Sequence, residues 1–200
     1  MFTLMSGAYR YFTKQDEYNV LVLGLDGAGK TTLLEKIKYT TTGISGMSPE
    51  KIQPTVGVNI AKAHIQRRLV KFLDLGGQED LRGIWNSYFS DSHAILFVID
   101  SGNKKRMDEA LSVLLTLSRA HELEQVPFLV LANKLDINDI TALAQVKELV
   151  NGAADNFDNR SVRVLGASAV TGEGVQVIIN WLFNSMLENN NLRPPLSSEF

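Results

Sequence analysis

The chain has 200 residues, an apolar share of 44% and a formal charge of −2. That length suits one domain with short tails and enough apolar surface for a sizeable core. The near-neutral charge excludes a nucleic-acid binder held by phosphate contacts, and the lack of cysteine excludes disulfides and thiolate metal sites, which fits a cytosolic chain.

In chain order, Met1, Leu4, Met5, Ala8 and Phe12 share one helical stripe. Residues 1–17 are therefore expected to form an amphipathic helix, either docked on the body as plain core or released as a reversible anchor. They lack the long apolar centre of a secretory signal. Arg10 and Lys14 are the only cations in it. Stable lipid attachment takes two signals, so a protein receptor in the membrane is the expected partner. Tyr18–Leu23 reads as a short buried strand and Lys30–Lys38 as a helix. Val58–Ile65 and Leu69–Leu75 read as two more strands around a basic turn. Ala94–Asp100 and Pro127–Ala132 are continuous apolar runs, as in strands covered on both faces. Neither approaches the ~18 residues of a membrane span. Met107–His121 and Leu143–Val150 are expected helices, and Lys104, Lys105 and Arg106 a solvated helix start. Val162–Leu165 is a last strand. Val175–Leu187 is a helix with Val175, Ile178, Ile179, Leu182 and Met186 on one stripe. Residues 191–200 read as a frayed tail. The alternation predicts an α/β domain over 18–190: a six-stranded, mostly parallel sheet flanked by helices.

Between the first strand and helix stands "GLDGAGKT", which fits G-x-x-x-x-G-K-[ST]. Gly24, Leu25, Asp26, Gly27, Ala28 and Gly29 form a loop whose N–H groups can cradle phosphates, helped by the following helix N-terminus. Lys30 would neutralise the terminal phosphates, and Thr31, followed by Thr32, would ligate magnesium. A plain glycine turn would share the composition; the strand before and the helix after favour the phosphate site. "LANKLD" ends an apolar strand and places Asn133, Lys134 and Asp136 at the carboxyl rim. Asp136 can accept two hydrogen bonds from guanine, whereas adenine would leave it unpaired. The Lys134 stem can lie on the base, and Asn133 can tie this loop to the phosphate loop. Ser168 and Ala169, after the last strand, can present N–H groups to the guanine oxygen. In "FLDLGGQE", Asp74 can hold magnesium through water, Gly77 can donate to the γ-phosphate and Gln78 can orient water. Thr55, in "IQPTVG", is the second metal candidate, reaching it only when the γ-phosphate is present. Thr55 and Gly77 would thus define a switch closed by one phosphate.

In these motifs, in their order, the chain resembles the Arf family of small GTPases. "GLDGAGKTT", "PTVGVNI", "DLGGQE", "LRGIWNSYF" and "LANKLD" carry the likeness over roughly residues 5–190. "MFTLMSGAYRYFTKQDEY" and "GMSPEKIQPTVG" are similar to the divergent Arf-related branch of the trans-Golgi. The resemblance implies a P-loop NTPase fold, GTP or GDP with Mg2+, and catalysis by Gln78 and Lys30. It implies an exchange factor, an activating protein that supplies an arginine, and effectors at the switch loops. It further implies a monomeric, cytoplasmic protein that reversibly joins the Golgi membrane to regulate vesicle and protein transport, its amino-terminal helix ejected when the Val58–Leu75 strand pair shifts. Three positions depart from the usual Arf pattern: Phe2 replaces the glycine that N-myristoylation needs, and Val58 and Leu73 replace two members of an aromatic cluster of which Tyr88 remains. The alternative is a module that binds guanine nucleotide, cycles by exchange and hardly hydrolyses it.

Overall fold

A computed structural model describes residues 15–138, 140–157 and 160–198; the segment 1–14, most of the expected amphipathic helix, lies outside these. The elements run β1 (Gln15–Leu23), α1 (Lys30–Thr42), β2 (Val58–Ile65), β3 (Arg68–Leu75), β4 (Ala94–Asp100), α2 (Met107–Ser118), β5 (Phe128–Asn133), α3 (Ile140–Gly152), β6 (Val162–Gly166), α4 (Val175–Glu188) and β7 (Leu196–Ser198). A 3-10 stretch, Glu79–Tyr88, follows β3. The main sheet has the order β2-β3-β1-β4-β5-β6. β2 and β3 are antiparallel and the other neighbours in that order are parallel. No helix among the described residues is long and apolar enough to cross a membrane.

Burial on both faces explains the continuous apolar runs. Along β1, Tyr18, Val20 and Val22 join one core cluster, with Leu33, Leu34 and Ile37 of α1 and Ile178, Ile179 and Leu182 of α4. Leu21 and Leu23 point to the opposite cluster, with Phe97, Leu114, Phe128, Val146 and Trp85. Each such side chain contributes ~1.5–3 kcal/mol of apolar burial, so the central strands are the most strongly held. α1 runs four residues beyond its expected end. The hydroxyls of Thr40, Thr41 and Thr42 bond back to the carbonyls of Lys36, Ile37 and Lys38 at 2.7–2.9 Å, which accommodates β-branched residues in the last turn. Gly43 then ends the helix in the left-handed conformation. The β2–β3 hairpin closes on Gln66 and Arg67, both at positive φ, as its two-residue turn requires.

The two ends of the domain differ from expectation. β1 starts at Gln15, so residues 15–17 are strand rather than helix. The tail is tied down, and the sheet gains a seventh strand: Leu196–Ser198 pairs antiparallel with Gln15–Glu17. The reason is geometric. β4 first meets β1 at Val20, which leaves the earlier edge of β1 open for the tail. The approach is fastened by Tyr18 Oη donating to Asn190 Oδ1 at 2.9 Å and by the Arg193 guanidinium on the Ser90, Glu122 and Glu124 carbonyls.

His93 completes that fastening. Its Nδ1 accepts from the Asn19 N–H at 3.0 Å, so Nε2 carries the proton and donates to the Pro194 carbonyl at 3.1 Å. Burial holds this imidazole below its ordinary value, against the opposing hydrogen bond to Pro194. The ring is neutral in the fold, while the unfolded chain takes up a proton near ~6.5. The stability is therefore present above that pH and lost as pH falls through it. The melting temperature, followed by circular dichroism, should drop as pH falls below ~6.5, and His93→Gln should flatten that dependence.

Candidate functional site

The phosphate loop and the segments carrying Thr55, Asp74 to Gln78 and Asn133 to Lys134 meet at the carboxyl rim of the sheet. The loop after β1 turns sharply: Gly24, Gly27 and Gly29 all have positive φ. Gly24 is required for a second reason, since a Cβ there would collide with the Val98 carbonyl of β4. Lys30, at the first position of α1, is buried, and its Nζ donates to the carbonyls of Gly24 and Leu25 at 3.0 and 2.9 Å. Burial pushes its ammonium down to about 8.

Beside it, three oxygen groups meet. Thr31 Oγ1 lies 2.6 Å from Asp74 Oδ2 and 2.8 Å from Thr55 Oγ1, and Thr55 Oγ1 lies 3.3 Å from the same carboxylate oxygen. Asp74 is wholly buried, and burial raises its carboxyl above the ordinary value despite these hydrogen bonds. Its Oδ1 has no hydrogen-bond partner among the described residues. A carboxylate with one free oxygen beside two hydroxyls is a hard-oxygen donor set that fits Mg2+, which prefers a few protein oxygens and keeps several waters. Clusters of three or more acidic, His or Cys side chains suited to a metal are absent among the described residues; hydroxyls make up the difference here.

Gly77 is packed against this centre. A Cβ on it would lie 2.6 Å from the Asp26 amide nitrogen and closer still to the Gly24 carbonyl. The adjoining Gly76 carbonyl accepts the Trp85 indole N–H at 2.9 Å. Gln78 is exposed and lines one cavity of about 400 Å³ together with Gly29, Lys30, Thr31, Thr32, Thr55 and Gly77. A second cavity of about 270 Å³ adjoins it, lined by Leu25, Asp26, Gly27, Ala28, Asp100 and Lys134.

The "NKLD" segment performs its expected structural task. Asn133 Nδ2 donates to the Ala28 carbonyl at 2.8 Å, which ties the two loops together. Lys134 has positive φ, and its Nζ pairs with Asp100 at 2.8 Å, so its stem borders both cavities. Asp136 is exposed at the turn and lines neither cavity. Ser168 and Ala169 are buried at the same rim. The Ala169 N–H donates to Asn133 Oδ1 at 3.0 Å and the Ser168 N–H to the Glu173 carbonyl at 3.1 Å. Both buried amides have partners within the protein, and the Ala169 bond buttresses Asn133.

Two arginines that the sequence does not place at the site stand there. Arg106 pairs with Asp26 at 2.9 Å, so the run 104–106 is not merely a solvated helix start. Arg82 donates from Nε to the Gly77 carbonyl at 3.0 Å. The one local signal for either is Glu109, three residues beyond Arg106 and in salt-bridge contact with it at 2.8 Å.

Gly77→Ala should force the segment 76–78 off the phosphate loop while leaving the sheet intact. Affinity for a triphosphate analogue should fall by ~10–100-fold, the worth of one hydrogen bond to a charged group, and affinity for the diphosphate should hold. Titration with fluorescent nucleotides reads both.

The profile of the ADP-ribosylation factor family matches residues 4–186. ADP-ribosylation factor-like protein 3 of Saccharomyces cerevisiae is 42% identical over 197 residues, covering 98% of this chain and 99% of that protein. ADP-ribosylation factor-related protein 1 of Bos taurus is 39% identical, covering 98% and 97%, and its human counterpart is 38% identical with the same coverage. The fold is shared with the solved Arl6 BBS3 small GTPase of Trypanosoma brucei with bound nucleotide analogue GppNp. The TM-score there is 0.74 at 24% identity, over 86% of this chain and 98% of that one. The chain belongs to the ADP-ribosylation factor family of small GTPases, which bind GTP and GDP with Mg2+ and hydrolyse GTP.

Proposed function

We propose that this GTPase is a switch whose two loops, carrying Thr55 and Gly77, clasp the γ-phosphate, and that it regulates membrane traffic at the Golgi by recruiting effectors in its GTP state. The observation that carries the reading is the meeting of Thr55, Thr31 and Asp74 within 3.3 Å, beside a Gly77 packed on the phosphate loop. Segments before β2 and after β3 reach one point, so one phosphate can hold both.

The reaction is GTP + water → GDP + phosphate. Gly24 to Gly29 turn their backbone toward the phosphates, and Lys30 stabilises the charge that develops on the leaving and transferred oxygens. Thr31, Thr55 and Asp74 would hold Mg2+, which would supply positive charge to neutralise the phosphates. Gly77 donates its N–H to the γ-phosphate, and Gln78 orients the attacking water. Lys134 covers the base, and Asp136 accepts from the N1–H and 2-amino group of guanine, which selects it over adenine. Arg82 and Arg106 are already engaged with protein carbonyls and carboxylates. That supports an activating protein that supplies an arginine in trans, worth ~10³–10⁵ in rate.

Effectors would read the edge strand β2 and the segment just before it, where Ile60 and Val56 are 50% and 81% exposed. Leu73 is buried, Val58 is exposed and Tyr88 packs on the core, so the surface lacks the usual aromatic cluster. The membrane is reached through the amino-terminal segment and a protein receptor, since Phe2 excludes a myristoyl chain. An exchange factor loads GTP. The protein is a cytoplasmic monomer between membrane visits.

Gln78→Leu should trap the triphosphate state: single-turnover hydrolysis with an activating protein present should fall by at least ~10³-fold. A wild-type rate would remove Gln78 from its role, and a wild-type protein that fails to turn over would favour the exchange-only module. Deletion of residues 1–14 should abolish Golgi localisation of a fluorescently labelled chain; an unchanged pattern would defeat the receptor reading.

A further inference from the structure

Four charged side chains link the phosphate loop to the segment after β3. Asp26 accepts from Arg106 Nη2 at 2.9 Å, while Arg106 Nη1 reaches the Asp26 carbonyl at 3.2 Å. Arg106 Nε and Nη2 donate to Glu109 Oε2 and Oε1 at 2.8 and 3.1 Å. Arg82 Nη2 donates to the same Oε1 at 2.7 Å. Arg82 Nε then holds the Gly77 carbonyl at 3.0 Å. Glu109 is the junction, and it stands on the first turn of α2, which Met107, Ala110, Leu114 and Leu117 anchor in the core.

Stability is a weak reason for this arrangement. Glu109 and Arg106 are each about one-third exposed, and exposed pairs contribute little individually. Position is a stronger one. The Gly77 carbonyl belongs to the peptide plane that also carries the Gln78 N–H. Glycine rotates freely about ψ, so an unheld plane would leave the Gln78 side chain unaimed. The Asp26 carboxylate, meanwhile, would repel a γ-phosphate if it swung inward, and Arg106 turns it aside. Both arginines hold Glu109 ionised, its carboxyl drawn down to about 2, so the junction persists at any working pH.

We propose that Glu109 is a positioning residue for GTP hydrolysis: through Arg82 it sets the Gly77–Gln78 peptide, while Arg106 holds the Glu109 carboxylate in place. This rests on the role assigned to Gln78 above. A rigid helix thereby aligns the water-orienting loop with the phosphate loop.

The test uses the full chain with Mg·GTP in single-turnover hydrolysis, alongside GDP dissociation and melting temperature. Glu109→Gln should slow hydrolysis about tenfold, a fraction of the ~100-fold that a 1 Å misplacement can cost. GDP dissociation and melting temperature should stay at wild-type values, because GDP lacks the phosphate that Gln78 serves. Arg82→Ala, which leaves α2 untouched, should show the same loss, and Glu109→Asp should recover some of it. In a Gln78→Leu background the Glu109→Gln loss should vanish. The proposal is overturned by an unchanged rate, by a parallel loss of GDP affinity, by a loss additive with Gln78→Leu, or by faster hydrolysis from the released arginines. If Gln78→Leu slows the reaction and Glu109→Gln does not, this inference alone fails. If Gln78→Leu has no effect, the reading of Gln78 fails and takes this inference with it.

Discussion

The site depends on a close approach that no side chain obstructs. Around the turn from β1 to α1, the backbone comes within hard contact of β4 at Gly24 and of the post-β3 segment at Gly77. A single methyl at either place would push apart backbone segments that must meet. Once they meet, the rest follows from proximity. Lys30 finds carbonyls of its own loop, Thr31 faces Asp74, and Thr55 closes the group from the far side. The order of strands does the positioning. β1 lies between β3 and β4, so the loops after all three open on the same rim and differ only in lateral offset.

Burial then sets the electrostatics. An ammonium and a carboxylate are buried at the same rim, and burial pushes Lys30 down and Asp74 up. Neither charge is well compensated by protein groups alone; polyphosphate and a divalent cation carry the opposite charges. Such a pocket discriminates among ligands by charge count, and the loss of one phosphate is felt by every group around it. The same logic explains why the outer arginines are held by Glu109: unpaired guanidinium groups beside the rim would compete for the phosphates that Lys30 serves.

Much of this was legible in the chain. The phosphate loop and "NKLD" carry meaning because their residue types and spacing follow from backbone geometry and base chemistry. The central strands declared themselves because burial on both faces leaves no polar positions in Ala94–Ile99 or Phe128–Ala132. What escaped depends on contacts between distant segments. The tail looked like a loose end because "RPPLSSEF" has no strand pattern; it pairs because β4 starts late and leaves an edge of β1 uncovered. Arg106 looked solvated because its partner Asp26 is eighty residues away in the chain. Nothing local shows that Glu173 and Asn133 accept from the amides of Ser168 and Ala169.

β1 has a second end, and the proposed switch makes it consequential. Gln15–Glu17 lie between the β2–β3 hairpin tip and the tail strand. Arg68 reaches Asp16 at 3.4 Å, Lys71 pairs with Glu17, and Gln15 Nε2 donates to the Arg67 carbonyl at 3.4 Å. The parallel register fixes Glu17 to Leu69 and runs unbroken to Val22 and Asp74. A slide of the hairpin along β1 would therefore change both ends at once. At one end it would carry Asp74 away from Thr31; at the other it would break the ion pairs on Asp16 and Glu17, just where the chain leaves residues 1–14. The sheet cannot move one without the other, because a pleated register shifts as a whole. Such a slide would connect a phosphate bound at the rim to the start of the domain through β3, with the tail strand fastened on the opposite edge of β1.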